Sequence, residues 1–580
     1  MFRDFTVQIP KDKGKICRQK TKTATYIHYV LERTYDPKKK HTAPKRALIG
    51  RVDETQPERM YPNDAFFEHY PQSALPELRQ DAKRSSTLAA GAYIVIDHII
   101  KHLKIDKLAQ KHFGDKAGLF LDLAAYMLVE QHNQGQYYPH YAYRHPLFSE
   151  NMRPLSDSTV SSFLSGVSDD QISDFLNDWN ADRDHRSRIY ISYDSTNKNS
   201  QAGDIDLVEF DKAKDEKGLP IFNIGLAYDQ TNQVPLFYEL YPGSINDVSQ
   251  LKYFVDKAVE YNYRNIGFIL DRGYFSKGNI RYMDEKGFAF VMMVKGCKRV
   301  VSSVVDELRG TFEHRRACVL PGHLVSGTTV ERKLFEDDTR TRYLHVYFSA
   351  DRMADESRQL EMQLDQMKAL YRKSIGKKIE FSRAHTEYFD FYYDKEGRLR
   401  FAREKTEAIE QQMLRCGYFC IATSEKMTAL EAYCLYKGRD ASEKLFSADK
   451  SFLGSKSMRV QTAQAVSTKI LIEFVSLIIR NRIYNLLKDE MLKLKKRKNF
   501  MTVPAAIREL EKIEIVRINS GVYQLDHAVT HTQEIILNSF GISKDEVYVK
   551  IGEISKVLSN PSTVAEEIDD NEEDESYGEM

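Results

Sequence analysis

Tyr436, Arg439, Glu443 and Lys450, in the stretch YKGRDASEKLFSADK, place an aromatic ring, two cations and a carboxylate at offsets of three, seven and fourteen residues. At about 100° per residue, a helix would keep all four within an arc of about 60°. A face with one carboxylate among phosphate-binding groups suits an enzyme that holds a catalytic metal against a nucleic-acid backbone. The plainer alternative is a solvated helix stripe of mixed charge, and Gly438 inside the segment weakens the helix. The chemistry requires further acids upstream.

Two are in place. Asp194 is read as ending a strand in YDSTN, and Asp271 as ending another in LDRGYF. Either alone is equally a turn or helix cap. With Glu443 they form three carboxylates in the order D, D, E, an oxygen donor set suited to two Mg²⁺ ions that keep water positions, with Mn²⁺ as a substitute. Two such ions activate the attacking oxygen and stabilise the leaving oxygen of an in-line phosphoryl displacement. Asp247 in GSIND is a weaker candidate, better read as a helix N-cap. Arg272 is read either as a DNA contact or as the partner of a neighbouring acid.

The elements around these acids follow a definite order. RIYISYDST, LPIFNIGLAYD and VPLFYELYPG read as consecutive strands, followed by a helix from near Asn246 and Asp247, a strand NIGFILD, a helix over about 276–286 and a strand FAFVMMVK. Three strands, a helix, a fourth strand and a further helix make the frame of an RNase H-like α/β fold. There, the first and fourth strands run centrally and in parallel, so their acids converge. A mixed stretch follows: strand signals around HRRACVL and RYLHVYFSA, an amphipathic helix SRQLEMQLDQMKALYRK, and the hairpin-like FDFYYDKEGRLRFAR. It reads as inserted, because the catalytic pattern resumes at GYFCIAT and runs into the segment carrying Glu443.

The expected organisation is a basic β-rich N-terminal module over 1–84, a helical region that is a candidate for DNA binding over 85–185, and the first part of the RNase H-like core over 186–297. A mixed, β-containing insertion domain over 298–415 precedes the second part of the core, with the catalytic helix, over 416–485. A C-terminal helical region over 486–562 and an acidic disordered tail over 563–580 complete the chain. In the helical region, Ser156 and Ser168 have the character of N-caps for STVSSFLSG and SDDQISDFLNDWN. A helix-turn-helix reader fits this pair, but Asp169, Asp170, Asp174 and Asp178 argue against the second helix entering a groove.

Lys plus Arg total 85 and Asp plus Glu 84 of 580 residues, so net charge decides nothing about a nucleic-acid partner. Distribution decides more. The first fifty residues carry Lys11, Lys13, Lys15, Arg18, Lys20, Lys22, Lys38, Lys39, Lys40, Lys45 and Arg46, an arm able to neutralise phosphates. The ending EEIDDNEEDESYGEM is acidic and cannot fold alone. Cysteines 17, 297, 318, 416, 420 and 434 show no zinc-site spacing, and Cys416 and Cys420 read as facing one buried side. No secretory h-region opens the chain, and ILIEFVSLIIR, broken by Glu473 and stopped by Arg480, is too short to span a membrane and reads as a core helix. A soluble cytoplasmic protein is expected.

Together, the D, D, E set, Y-x2-R-x3-E-x6-K and the segments VPLFYELYPGSINDVSQL and ILDRGYFSKGNI resemble the bacterial insertion-sequence transposases of the DDE type with the YREK signature, over about residues 186–480. The resemblance implies that Asp194, Asp271 and Glu443 bind the metals, while Tyr436, Arg439 and Lys450 contact DNA phosphates. Those side chains suit the role: Arg forks onto phosphate oxygens, Lys is a point charge, and a Tyr hydroxyl bonds phosphate. It further implies cut-and-paste transposition by a prokaryotic, nucleoid-associated endonuclease, in which a homodimer holds double-stranded transposon ends and target DNA. Some relatives form a DNA hairpin and stack a flipped base on tryptophan. The only Trp here, Trp179, precedes the first catalytic strand, leaving a Tyr or Phe of the insertion as the platform. The rival readings are a catalytically inactive, transposase-derived DNA-binding protein and another RNase H-like nuclease.

Overall fold

The segments with alternating or continuous apolar residues pair into one mixed sheet. β1 (Ile189–Ser200), β2 (Ile221–Asp229) and β3 (Val234–Pro242) run antiparallel to one another, and helix α1 (Asp247–Glu260) crosses to β4 (Ile266–Leu270), which lies parallel beside β1. Helix α2 (Lys277–Lys286) leads to β5 (Ala289–Met293), parallel to β4. β6 (Ser326–Arg332), β7 (Arg342–Phe348) and β8 (Tyr418–Thr423) extend the sheet beyond β5, giving the order β6-β7-β8-β5-β4-β1-β2-β3. The computed structural model describes residues 2, 5–21, 24–36, 41–71, 84–183, 187–200, 205–210, 218–245, 247–294, 299–453, 457–493, 501–518 and 522–559. The acidic tail, the basic link over 494–500 and the Lys38–Lys40 run lie outside them.

Side chains alternate across a strand, so the sheet has two distinct faces. Phe268, Leu270, Phe290 and Met292 belong to the main core on one side. Ile269, Val291, Tyr347 and Ile421 face the other, where they meet Tyr433 and Tyr436 of helix α3 (Ala429–Gly438). Helix α4 (Asp440–Phe452) follows directly, and the short strand β9 (Ser457–Met458) pairs in parallel with the far end of β1. Helix α5 (Ala463–Lys493) is buried along most of its length, as expected for the ILIEFVSLIIR segment.

Between β7 and β8 the chain leaves the sheet as a helix (Ala350–Ser374), a hairpin (Phe389–Tyr393 with Leu399–Glu404) and a helix (Thr406–Arg415). Leu360, Leu364, Met367, Tyr371, Phe389 and Leu399 give this excursion its own small core. The stretch expected as inserted also contributes β6 and β7 to the main sheet. Around HRRACVL there is a 3-10 turn at Arg316–Cys318 in place of the expected strand.

An antiparallel sheet of five strands from Val7 to Pro62, capped by the helix Asp64–His69, closes over Ile9, Ile27, Ile49, Val52, Met60 and Phe66. Helices follow between Gly91 and Ala181. Ser156 accepts from Thr159 N, and Ser168 forms a capping box with Gln171. Leu88, inside the region over 85–185 expected as helical, lies instead in a strand (Thr87–Ala89) paired with Glu514–Arg517, which in turn pairs with Tyr523–Leu525. Cys416 and Cys420 are buried, and burial pushes the Cys420 thiol up to about 12. Among the described residues, no helix is long and apolar enough to cross a membrane.

Candidate active site

Parallel pairing of β1 and β4 brings the first two acids together. Leu270 stands opposite Tyr193, so Asp271, still extended at φ −71° and ψ 163°, follows in register beside Asp194. Both lie on the sheet face of Ile269, two residues before Asp271, which α3 covers. The Tyr436 hydroxyl reaches down from α3 and donates to Asp271 Oδ1 at 3.0 Å. Asp194 Oδ1 accepts from the Ser195 amide at 2.9 Å, and the Tyr274 hydroxyl from the turn after Asp271 donates to Ser195 Oγ at 3.0 Å.

Asp194 is not at the end of its strand, as YDSTN suggested, but in the middle of it. The strand runs on to Ser200 because Ser195, Thr196, Asn197, Lys198, Asn199 and Ser200 are all buried in a polar interior.

The single helix expected for Tyr436, Arg439, Glu443 and Lys450 is two. A capping box between Thr428 and Glu431 starts α3, which ends at Gly438. A Cβ at Gly438 would collide with the side-chain amide of Gln230 in the turn after β2, so glycine permits the close approach. Arg439 caps the end of α3 and the start of α4, its amide bonding back to Tyr436 O at 3.1 Å. Tyr436 therefore sits on α3, and Glu443 and Lys450 on α4.

Arg439 occupies the centre. Its Nη2 is 2.5 Å from Glu443 Oε1 and its Nη1 is 3.7 Å from Asp194 Oδ2. Burial disfavours its charge, but Tyr436, Asp271, Glu443 and Asp194 outweigh that and hold the guanidinium above its ordinary value. Tyr436 is buried, and burial together with Asp271 raises its phenol. The hydroxyl expected at a phosphate is thus engaged with a carboxylate. Glu443 is the exposed member, while Lys450 is half-buried in the last turn of α4. Arg272 is exposed, and the Asp247 side chain lies outside the described residues.

Three carboxylates are a hard oxygen donor set, which fits a divalent cation in kind. Among the described residues, however, no group of three His, Cys, Asp or Glu side chains is gathered closely enough to hold an ion. The acids converge on a guanidinium instead.

The family model described as the transposase DDE domain matches residues 194–479, beginning at Asp194 and taking in Asp271 and Glu443. Over that stretch, just under half of the chain, it is similar to a transposase DDE domain. Domains of this family belong to proteins of DNA transposition and recombination and depend on divalent metal. Among solved structures, the chain is similar to a piggyBac transposase synaptic complex with hairpin DNA at 9% identity and a TM-score of 0.32, over 78% of this chain and 85% of that one. It is also similar to a Mos1 transposase paired-end complex with the left transposon end at 13% identity and a TM-score of 0.14, over 23% and 50%. No curated protein matches.

Outside the DDE domain, Trp179 is fully buried, donates Nε1–H to Pro235 O at 3.1 Å and lies under the Arg183 guanidinium. It holds the helical region against β3. Sequence reasoning missed Tyr274, which bonds Ser195 beside Asp194, and the pair of Lys198 and Asp449 farther along the same strand. The parity of Lys198 with Asp194 on one strand was the available signal.

Proposed function

We propose that the protein is a cut-and-paste DNA transposase whose DDE domain is an RNase H-like core holding two Mg²⁺ ions between Asp194, Asp271 and Glu443. The observation that carries this reading is the adjacency of Asp194 and Asp271 on neighbouring parallel strands, beneath the helix pair bearing Glu443. The sheet order β3-β2-β1-β4-β5, with β1, β4 and β5 parallel, supports the RNase H-like assignment.

When bound, the ions supply activation of the attacking oxygen and stabilisation of the leaving oxygen. The chain's own residues do the positioning. Tyr436 fixes the Asp271 carboxylate, the Ser195 amide fixes that of Asp194, and Arg439 is the counter-cation of Glu443 and Asp194, the residues that with Asp271 would hold the ions. Arg439 and Lys450 then meet phosphate, and Tyr436 lends its ring beside them. The substrate is the pair of terminal inverted repeats of its insertion sequence, held by a homodimer, with the 3′-hydroxyl ends joined to target DNA. Because Trp179 is fully buried, the exposed Tyr392 and Phe401, stacked at 4.4 Å on the hairpin of the excursion, are the aromatic platform for any flipped base.

The test is incubation with duplexes carrying the repeats that flank the gene. Cutting at the repeat boundary that needs Mg²⁺ and stops with chelator supports the proposal. Repeat binding without cutting by the folded wild type would favour an inactive, DNA-binding derivative.

A further inference from the structure

One buried ammonium joins the strand of Asp194 to the helix of Glu443. Lys198, four residues after Asp194 on the same face of β1, is fully buried, with Nζ 2.6 Å from Asp449 Oδ2 and 2.7 Å from Glu473 Oε2. Asp449 lies on α4, six residues beyond Glu443, and Glu473 on α5; both are almost completely buried. Asn133, from the loop after the helix Ala117–Glu130, donates to Glu473 Oε1 at 3.4 Å. Lys469, buried one turn before Glu473, is a second cation, lowered to about 8 by burial.

Taking these charges out of water is costly, and apolar residues of similar size would often fill such a space with equal or greater stability. An ammonium with two acids within 2.7 Å provides something apolar packing does not, which is one allowed placement of helix on strand. Glu443 is exposed in the first turn of α4 and is tied to Asp194 through the Arg439 side chain, so its position follows the placement of α4.

We propose that Lys198 is a positioning residue of the DDE site, locking α4 to β1 through Asp449, and to α5 through Glu473, so that Glu443 meets the two aspartates at the right place. This rests on the metal-site reading of Asp194, Asp271 and Glu443.

The test compares the full-length wild type with Lys198→Met/Asp449→Leu, which removes one cation and one anion and leaves Glu473 with Lys469 and Asn133. Expected are a melting temperature and a repeat-DNA affinity close to wild type, Mn²⁺ binding by electron paramagnetic resonance about tenfold weaker, and single-turnover cleavage about a hundredfold slower, the size of loss that follows a misplacement of about 1 Å. Amide hydrogen exchange should speed up over 440–453 while that over 463–493 is retained. Asp449→Asn, which keeps the volume and a hydrogen bond to Lys198, should show the same pattern more weakly and serves if the double variant does not fold. Faster exchange with wild-type Mn²⁺ binding and cleavage would overturn the proposal by reducing Lys198 to a structural role, and unchanged exchange would overturn it outright. If the wild type neither cuts nor binds Mn²⁺, the metal reading fails instead, and exchange over 440–453 still decides whether Lys198 anchors the helix.

Discussion

Arg439 donates to Glu443 at 2.5 Å while its other terminal nitrogen lies 3.7 Å from Asp194. A single guanidinium therefore stands where a cation must stand if these acids are to lie together, since unpaired like charges repel strongly at such range.

Removing that guanidinium should leave the acids short of positive charge. Arg439→Gln is expected to tighten Mn²⁺ binding by the DNA-free protein by about tenfold, equivalent to about 1.4 kcal/mol, while weakening binding of repeat DNA. Mn²⁺ titration followed by paramagnetic resonance measures the first effect. Looser Mn²⁺ binding would show that Arg439 helps to build the metal site instead of competing for it.

Tyr436→Phe keeps the ring packed against Ile269, Val291 and Ile421 and deletes only the hydroxyl on Asp271. A hydrogen bond to a charged group contributes about 1.5 to 3 kcal/mol, less whatever water regains at the half-buried carboxylate. A loss of about 1 kcal/mol in urea unfolding is expected, with slower cleavage. An unchanged midpoint and an unchanged rate would place the hydroxyl outside the site.

Much of this arrangement was legible in the chain. The strands FNIGLAYD, VPLFYEL, GFIL and FAFVMM are apolar throughout or alternate, and the helix between the third and fourth follows an amphipathic spacing, so both the elements and the parallel placement of β1 and β4 could be read. The extent of β1 could not. STNKNS reads as a loop because its residues are polar; its pairing with β2 and β9 makes it a strand, and Asp449 and Glu473 compensate the buried Lys198. For the same reason Glu473 seemed to interrupt an apolar helix when it in fact completes a buried ion cluster. The approach of Gln230 to Gly438 comes from more than two hundred residues away, and the pairing of Thr87–Ala89 with Glu514–Arg517 joins segments more distant still.

His345, fully buried between Thr329 Oγ1 at 2.8 Å and Thr423 Oγ1 at 3.0 Å, joins β6, β7 and β8 as a neutral ring, and burial lowers its pKa to about 4. An unfolded chain takes up this proton near 6.5, so the contribution to stability is complete above that pH and is lost as pH falls from 6.5 towards 4. Between pH 7 and pH 5 the wild type should lose about 2 kcal/mol through this group. His345→Gln should flatten the slope in a urea series, and an identical slope in the variant would contradict the assignment.

The N-terminal sheet exposes Lys15, Arg18, Lys20, Arg33, Lys45, Arg46 and Arg51 and has its own core, so it can be removed as a unit. Deleting residues 1–84 should weaken repeat binding and reduce the slope of log affinity against log salt by about 0.9 for each phosphate that is no longer neutralised. Unchanged affinity across the salt series would exclude this sheet from the DNA interface.

Single-turnover cleavage of repeat-end DNA by wild type and Glu443→Gln, with repeat binding measured in parallel, tests the central claim most directly. The substitution keeps size and hydrogen bonding but removes the exposed charge of the D, D, E set. Cutting by the wild type in Mg²⁺ that falls by about a thousandfold or more in the variant, with binding retained, is the predicted result, since that loss of about 4 kcal/mol matches removal of a principal catalytic group. A variant that cuts at the wild-type rate would show that Glu443 does not serve the reaction, and with it the three-carboxylate account would fall.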